Sequence, residues 1–386
     1  MTLIGHKKHG SLNKPSLGNF GRNEWAIIGG LCSVIKSLAD KVFAALSPHY
    51  QCAYADTSHH DDTIKPGRLL SGASIEYNDE ISYSTVNYHT SLNPFKLKEI
   101  FAPADLVLVN GNHQQATAQI VIICPDKKAS LQKRINQLTD VQLFLLDEGE
   151  NEVFDFLKEA VPNWQNIPKF SIDEPDKLIT FLQNKLEAAK PKINGLVLAG
   201  GKSERMGFQK GLINWHGKEQ QYYLADLLKA YCEKVYISCR DDQQNIINQA
   251  YNTLTDTFLG LGPMGAILSA LRQKSDEAWL VIACDLPLVN EQTLAHLIQN
   301  RNTKAIATAY KNNTDNLPEP LIAIWEPKSY TVLFQFLAQG YTCPRKVLIN
   351  SDSFIMEAPN PADLTNVNTE AEFKEMRQIL NSKQSL

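Results

Sequence analysis

Nowhere in the 386 residues is there an unbroken apolar run of ~18, the length needed to span a bilayer, so no membrane-spanning helix is expected. The seven cysteines (Cys32, Cys52, Cys124, Cys232, Cys239, Cys284 and Cys343) are odd in number and scattered, with no C-x-x-C pair. That excludes the signatures of a disulfide framework and of a zinc site. Several lie in apolar runs, at 121–124 and 281–284, where a thiol packs as a small hydrophobe. A reduced, cytoplasmic protein is therefore expected. The opening MTLIGHKKHGSLNKP has charge but no apolar core of about 7–15 residues, so it does not read as a signal peptide. Neither charge sign is in large excess: 38 Lys and Arg stand against 42 Asp and Glu, for a net charge of -4. A chain that reads nucleic acid by its phosphates needs a basic face, so that class is disfavoured. With 20 Gly and 18 Pro the chain is too poor in both to be collagen-like or mainly disordered.

What is present is ordinary globular material, 43% hydrophobic and 21% charged. At about 150 residues per domain, the length predicts two to three domains. Two α/β segments can be read. In the first, WAIIGG (25–30), CAYAD (52–56), DLVLVNG (105–111), AQIVIIC (118–124) and VQLFLLD (141–147) are short apolar runs bounded by polar or turn residues, as in strands buried on both faces. Helical spacing occurs at 34–47, 128–137 and 152–160. Alternation of this kind predicts a mostly parallel sheet with helices on its faces. A charged helix tail with Pro191, at 182–194, marks the seam, because the residue before a proline resists the helical region. The pattern restarts at GLVLAGG (195–201). Strands are predicted at 234–239, 279–285, 304–310 and 320–326, with helices at 220–232, 265–272 and 291–300. The expected architecture is thus α/β with two domains, 1–187 and 193–386, the second a Rossmann-like unit with a mixed, mostly parallel sheet. Residues 63–100 fit strands, a lid or an interface equally well.

The chemistry concentrates in the second half. In GLVLAGGKSERMGFQKGLI (195–213) an apolar strand runs into Gly200 and Gly201, followed by Lys202, Arg205 and Lys210. Glycines at a strand end let backbone approach a ligand, and successive N–H groups in such a turn form an anion-binding concavity. Arg205 and Lys210 supply the counter-charge that a triphosphate needs. Ligands of open α/β sheets bind outside the carboxyl ends of the strands, where this loop falls. A P-loop is excluded, since no G-K-[ST] follows. WLVIACDLPLV (279–289) carries the chain to Asp285 at a strand end. A carboxylate there suits magnesium, which takes oxygen ligands shared with substrate phosphates; a helix N-cap is the plain structural alternative. DTFLGLGPMGAI (256–267) is turn-rich and opens a helix. Its Asp256 fits two N–H groups of a base edge, a donor pair that guanine presents and cytosine does not; a loop aspartate satisfied by local backbone is the alternative.

Taken together, LAGGKSERMG, the Lys210 after it, DTFLGLGPMGAI, CDLPLV and the closing NVNT (366–369) resemble the molybdenum cofactor guanylyltransferase family over about 193–375. The resemblance implies transfer of GMP from GTP to molybdenum-carrying molybdopterin, with release of pyrophosphate and dependence on Mg2+. It implies that Leu198, Ala199, Gly200 and Gly201 cradle the nucleotide and that Arg205 and Lys210 bind its phosphates. It also implies that Asp256 reads guanine, that Ser238 makes another base-side contact, that Asp285 holds the metal, and that Asn366 and Asn368 lie near the pterin phosphate. Arg205, Lys210 and Asp285 are thereby the catalytic candidates. Gln209 departs from the family, many members of which carry Asp there, and this weakens a two-metal reading. Gly201 favours guanine, because CTP-using relatives more often have alanine. Glu319 suggests a wall of the pterin site, and Arg345 and Lys346 a contact to its phosphate, with a solvated turn as the alternative for both segments. A cytidylyltransferase for the same cofactor, a sugar-phosphate nucleotidyltransferase and a non-catalytic cofactor carrier remain as other readings. Molybdoenzymes or cofactor-synthesis proteins are the implied protein partners.

The first half carries a weaker likeness. GGLCSVIKS (29–37) has the outline of a P-loop, but Ile35 stands where the second glycine belongs, and a β-branched residue resists the dihedrals needed. ADTSHHDD (55–62) and DLVLVNG (105–111) resemble strand ends of the molybdopterin-guanine dinucleotide biosynthesis adaptor, a small P-loop GTPase, with Asn110 in place of its acidic residue. The resemblance, over about 20–165, implies a former GTPase kept as a binding or docking module. His59, His60, Asp61 and Asp62 form a candidate metal cluster, an exposed polar loop being the alternative. HKKHGSLNKP (6–15) is a basic arm.

Overall fold

The computed structural model describes residues 20–57, 67–199, 209–312 and 314–384. The chain separates into two compact units, Met1–Ala189 and Lys190–Leu386.

In the first unit, strands β1 (Glu24–Ile28) and β2 (Cys52–Ala55) flank helix α1 (Cys32–Leu46) in sequence. A two-stranded antiparallel hairpin follows, β3 (Ile75–Asp79) and β4 (Ser84–Tyr88), then α2 (Pro94–Phe101). Next come β5 (Leu106–Asn110), β6 (Ala118–Ile123), α3 (Lys128–Gln132), β7 (Val141–Leu146), α4 (Asp155–Ala160), β8 (Lys169–Ser171) and α5 (Pro175–Ala188). The six strands other than the hairpin form one parallel sheet in the order β2-β5-β1-β6-β7-β8. Parallel strands covered on both faces need apolar side chains in both directions, and these have them. Trp25, Ile27, Leu106, Leu108, Ile120 and Ile122 pack one way against α1 and α5. The intervening Ala26, Val107 and Val109 join one cluster on the other face, and Ile28, Val121 and Ile123 another. Residues 67–100, left open by sequence, include the hairpin and α2, and the hairpin leaves Ile75, Tyr77, Ile81 and Tyr83 exposed.

The second unit opens with β9 (Ile193–Leu198), α6 (Gln220–Leu228), β10 (Val235–Cys239), β11 (Asn252–Thr255) and α7 (Pro263–Gln273). Then follow β12 (Ala278–Ala283), α8 (Glu291–Gln299), β13 (Ala307–Lys311), β14 (Pro318–Trp325), α9 (Ser329–Ala338), α10 (Pro344–Ile349), β15 (Phe354–Met356) and α11 (Glu370–Gln384). The sheet order is β11-β10-β9-β12-β14-β13-β15. The first four strands are mutually parallel, and β14 runs against both β12 and β13. This is the mixed, mostly parallel sheet expected. Val197, Ile237, Leu280 and Ile282 face α6 and α8, while Leu196, Tyr236, Trp279 and Val281 face α7 and α9. Burying each such side chain stabilises the unit by about 1.5–3 kcal/mol.

Some predicted helices are shorter than their apolar spacing suggested. Lys128–Gln132 stops short and gives way to a 3-10 turn at Ile135–Gln137, and Gln220–Leu228 ends before Cys232. Arg345 and Lys346, for which a solvated turn was the plain alternative, are helical, in α10, begun by Pro344 at its first position.

Candidate active site

Parallel register sets the site. Ser238 on β10 pairs with Leu198 on β9, and Ala283 on β12 pairs with the same Leu198. Cys239 pairs with Thr255, the last residue of β11. The residues that follow these strand ends, Ala199, Asp256 and Asp285, therefore emerge along one edge, with Ser238 among them. Gly200, Gly201 and Arg205 lie outside the described residues. Leu198 and Ala199 are half-buried where β9 ends.

Lys210 returns the chain to this edge. Its Nζ lies 3.2 Å from Asp285 Oδ2 and donates to Asn368 Oδ1 at 2.5 Å. Three residues widely separated in sequence thus meet at one ammonium group. Both members of the ion pair keep contact with solvent, at 23% exposure for Lys210 and 19% for Asp285. Space behind the lysine is tight: a Cβ on Gly211 would stand 3.1 Å from Gln221 Oε1 and 3.3 Å from Ala199 Cβ. The N-cap of α8 is Asn290, whose side chain accepts from Thr293 N at 3.1 Å. Asp285 is accordingly not that helix's cap, and its carboxylate faces Lys210.

The NVNT segment is fixed from two sides. Val367 N donates to the Asp285 carbonyl at 2.9 Å, which ties the segment to the end of β12. Glu372 Oε2 accepts from the backbone N–H of Asn368 at 2.6 Å and of Thr369 at 3.0 Å, and Thr369 Oγ1 accepts from Glu372 N at 3.3 Å. These N–H bonds, the first from Asn368, hold the Glu372 carboxyl below its ordinary range, with Lys210 adding to the effect. Sequence reasoning missed Glu372. Its signal is the T-x-x-E capping pattern at the start of α11. Asn366 sits half-buried on the same segment.

A second polar pair stands on β10 and β11. Ser238 Oγ donates to Asp256 Oδ1 at 2.8 Å. Burial pushes the Asp256 carboxyl above its ordinary value, and the Ser238 bond opposes that shift. The loop beyond it is held by Ser269 Oγ, which accepts from Thr257 N at 2.8 Å and donates to the Gly265 carbonyl at 2.7 Å. Gly265 is required there, because a Cβ would stand 2.2 Å from the Phe258 carbonyl.

Gln209, which precedes the lysine, accepts from Gln243 Nε2 at 3.3 Å. It also lines an open cleft of about 320 Å³ with Leu212, Ile213, Asn214, Phe373 and Arg377. Glu319 and Arg345 pair with each other: Arg345 Nη2 is 2.8 Å from Glu319 Oε1, and its Nη1 is 3.0 Å from Asp315 Oδ2. Arg345 is thus occupied by two carboxylates. Among the described residues no group of three or more His, Cys, Asp or Glu side chains is arranged to hold a metal. Asp285 offers a single carboxylate, which fits an ion that takes most of its oxygens from substrate phosphates and water.

In the first unit, the candidate phosphate loop is absent. α1 begins at Cys32, so only Gly29, Gly30 and Leu31 separate it from β1. Gly29 makes that turn at φ +91, where a Cβ would meet the Ile122 carbonyl at 2.6 Å. Ile35 is fully buried under the helix, and Lys36 sits a turn inside it, with Nζ 3.6 Å from Asp56 Oδ2. Asn110 ends β5 as a buried residue whose Oδ1 accepts from Asn112 N. His59, His60, Asp61 and Asp62 lie outside the described residues.

The family model for the MobA-like NTP transferase domain matches residues 195–352. The chain is 31% identical over 190 residues to the molybdenum cofactor guanylyltransferase of Yersinia pestis (strain Pestoides F), covering 47% of this chain and 94% of that one. It is 35% identical over 198 residues to the molybdenum cofactor biosynthesis bifunctional protein of Synechocystis, covering 51% of this chain. That match spans only 57% of the Synechocystis protein's length. Among solved structures, molybdopterin-guanine dinucleotide biosynthesis protein A of Archaeoglobus fulgidus aligns at a TM-score of 0.42 and 22% identity, over 49% of this chain and 99% of that one. No helix among the described residues is long and apolar enough to cross a membrane.

Proposed function

The chain belongs to the molybdenum cofactor guanylyltransferase family, and on that premise we propose that it transfers GMP from GTP to molybdopterin, releasing pyrophosphate. The observation that supports this reading is the meeting of Lys210, Asp285 and Asn368 at the carboxyl edge of the sheet, with the Ser238–Asp256 pair on the neighbouring strands.

In this reading a pterin phosphate oxygen attacks the α-phosphorus of GTP in line, and pyrophosphate departs. No covalent enzyme intermediate is needed. The protein's part is to position two anions and to offset the charge that builds between them. Lys210 Nζ already rests between two oxygen acceptors, so an incoming phosphate oxygen would take over a donor that is pre-aimed. Arg205 would add a second cation from the glycine loop, in which Leu198, Ala199, Gly200 and Gly201 would cradle the nucleotide. Asp256 would read guanine: one carboxylate oxygen is engaged by Ser238, and the other is left for base N–H donors. Asn368 and Asn366 would face the pterin phosphate, the first kept in place by Glu372. Asp285 would hold magnesium, whose positive charge would neutralise phosphate oxygens.

The first unit, in the same proposal, is a docking module for the cofactor or for a cofactor-synthesis protein or recipient molybdoenzyme. The early start of α1 and the buried Ile35 leave no room there for a P-loop.

The test is product analysis. The chain is incubated with Mg2+ and either GTP or CTP, with molybdopterin or a panel of sugar phosphates as acceptor, and pyrophosphate is measured. Release that requires both GTP and molybdopterin is expected. Turnover with CTP alone would make it a cytidylyltransferase, turnover with a sugar phosphate would move it to that class, and no turnover with any pair would leave a carrier.

A further inference from the structure

The first unit holds a constellation that the transferase reaction does not use. Cys32 is the first residue of α1, and its Sγ lies 3.7 Å from His113 Nε2. The other ring nitrogen of His113, Nδ1, is 2.7 Å from Asp56 Oδ1. The three residues come from the ends of three adjacent parallel strands: Cys32 after β1, Asp56 after β2 and His113 after β5. Their order, thiol, imidazole, carboxylate, is that of a nucleophile, a base and the group that orients the base.

The surroundings fit that order. Burial works against ionisation of Asp56, but the bonds from His113 and from the Thr57 backbone bring its carboxyl down to about 2. With the Nδ1 proton of His113 bonded to Asp56, the ring presents Nε2 as the acceptor facing the thiol. Lys36 and the Tyr54 hydroxyl also face Asp56, at 3.6 Å and 3.3 Å. Asn112 Nδ2 lies 3.6 Å from Cys32 Sγ and bonds the Gly30 carbonyl at 2.9 Å, so a donor faces the sulfur and the turn before α1 is pinned. The first turn of α1 contains no acidic residue and no side-chain cap, so its free N–H groups and dipole place positive potential beside the sulfur.

We propose that Cys32, His113 and Asp56 form a hydrolytic site that accepts an activated acyl group, from an ester or thioester, on the Cys32 sulfur. The thiol proton passes to His113 Nε2 as sulfur bonds the acyl carbon. The departing alcohol or thiol takes that proton as its bond to carbon breaks. Water then adds to the enzyme thioester, giving its proton to His113; the carbon–sulfur bond breaks, sulfur recovers the proton, and the carboxylic acid leaves. Cys32 and His113 are the catalytic residues, and Asp56 is a positioning residue.

The probe is p-nitrophenyl acetate with the full chain. Release of many equivalents of p-nitrophenol is expected, together with a transient acetyl group mapped to Cys32 by mass spectrometry. Cys32→Ser should abolish the adduct and the turnover, and His113→Ala should slow acylation about 10²–10⁴-fold, the usual contribution of a general base. Asp56→Asn should lower kcat with KM unchanged, and Asp56→Glu should restore part of it, which a purely structural role would not produce. Melting curves for each variant separate loss of activity from loss of fold, and alkylation by iodoacetamide reads Cys32 independently against the exposed Cys343. Turnover that survives in Cys32→Ser, an acetyl group that stays on the enzyme, or Cys32 alkylation as fast in folded His113→Ala as in the parent would each overturn the proposal.

Discussion

Lys210 and Asp285 are 75 residues apart in sequence and 3.2 Å apart in space. The contact joins the loop after β9 to the end of β12, and it holds the ammonium where strand ends converge. Lys210→Met should therefore lower kcat/KM for GTP-dependent pyrophosphate release by about 10²–10³-fold, the effect of deleting one pre-aimed donor at a developing charge. Lys210→Arg should recover little, because a planar fork does not replace a compact ammonium beside the close-packed Gly211. Combining Lys210→Met with Asp285→Asn should cost less than the sum of the two, and steady-state kinetics on the four proteins measure that coupling.

If Asp256 reads the base as proposed, its raised carboxyl gives GTP binding a pH dependence. Reading a base edge needs the ionised form. GTP affinity should thus weaken as pH falls through the raised value, at a higher pH than an ordinary aspartate would dictate. Folding has the opposite dependence. The fold favours the protonated carboxyl, so its contribution to stability is complete below the ordinary 3.8 and is lost as pH rises through the folded value. Asp256→Asn should remove both trends. Ser238→Ala, by deleting the bond that opposes the shift, should move the acid limb of GTP binding further up. Titration calorimetry across this range checks each.

Much of this was legible in the residues. Apolar runs without alternation, such as IVII in β6 and WLVI in β12, are the mark of strands covered on both faces, and both lie in parallel pairings. Asp285 and Asp256 follow the ends of β12 and β11 and were legible from that position, Lys210 stood out as a cation in the segment after the β9 glycine loop, and Ser238, on β10, was singled out only by the family resemblance. What periodicity does not carry is proximity. Nothing in the spacing says that Asn368 reaches Lys210, or that His113 lies between Cys32 and Asp56. Such contacts follow from strand order, which a linear pattern does not encode visibly. The pairing of Arg345 with Glu319 was hidden for a further reason: the antiparallel β14 brings Glu319 to the edge from the opposite chain direction. A cation and an anion that each read as ligand contacts pair with one another.

Glu372 should matter for position more than for chemistry. It holds the N–H groups of Asn368 and Thr369 at the start of α11. Glu372→Ala should cost about 0.5–1 kcal/mol of stability, the lower part of the range for capping groups, because the cap is exposed. It should also lower kcat, since Asn368 loses the bond that orients it. The carboxyl is held below its ordinary 4.5, so its contribution is present above that pH and lost as pH falls through the folded value. Urea unfolding at neutral and acid pH should show the variant and parent converging at low pH.

The most demanding stability test lies away from the site. Glu326 is 1% exposed and receives Arg301 in a two-pronged pair, Nε to Oε1 at 2.7 Å and Nη2 to Oε2 at 2.8 Å. The remaining prong, Nη1, donates to the Pro191 carbonyl at 2.9 Å, which anchors the segment leading into β9. Removing the arginine leaves a buried carboxylate with its main counter-charge gone. Arg301→Met should then destabilise the second unit by about 3–5 kcal/mol, as expected when one partner of a buried pair is deleted. Arg301→Met combined with Glu326→Gln should recover much of that loss, because an uncharged amide costs far less to bury. Recovery would assign the penalty to the stranded charge. If instead the double variant were as unstable as the single one, the lost tether to Pro191 would account for most of the loss, and denaturant midpoints for the three proteins distinguish the two outcomes.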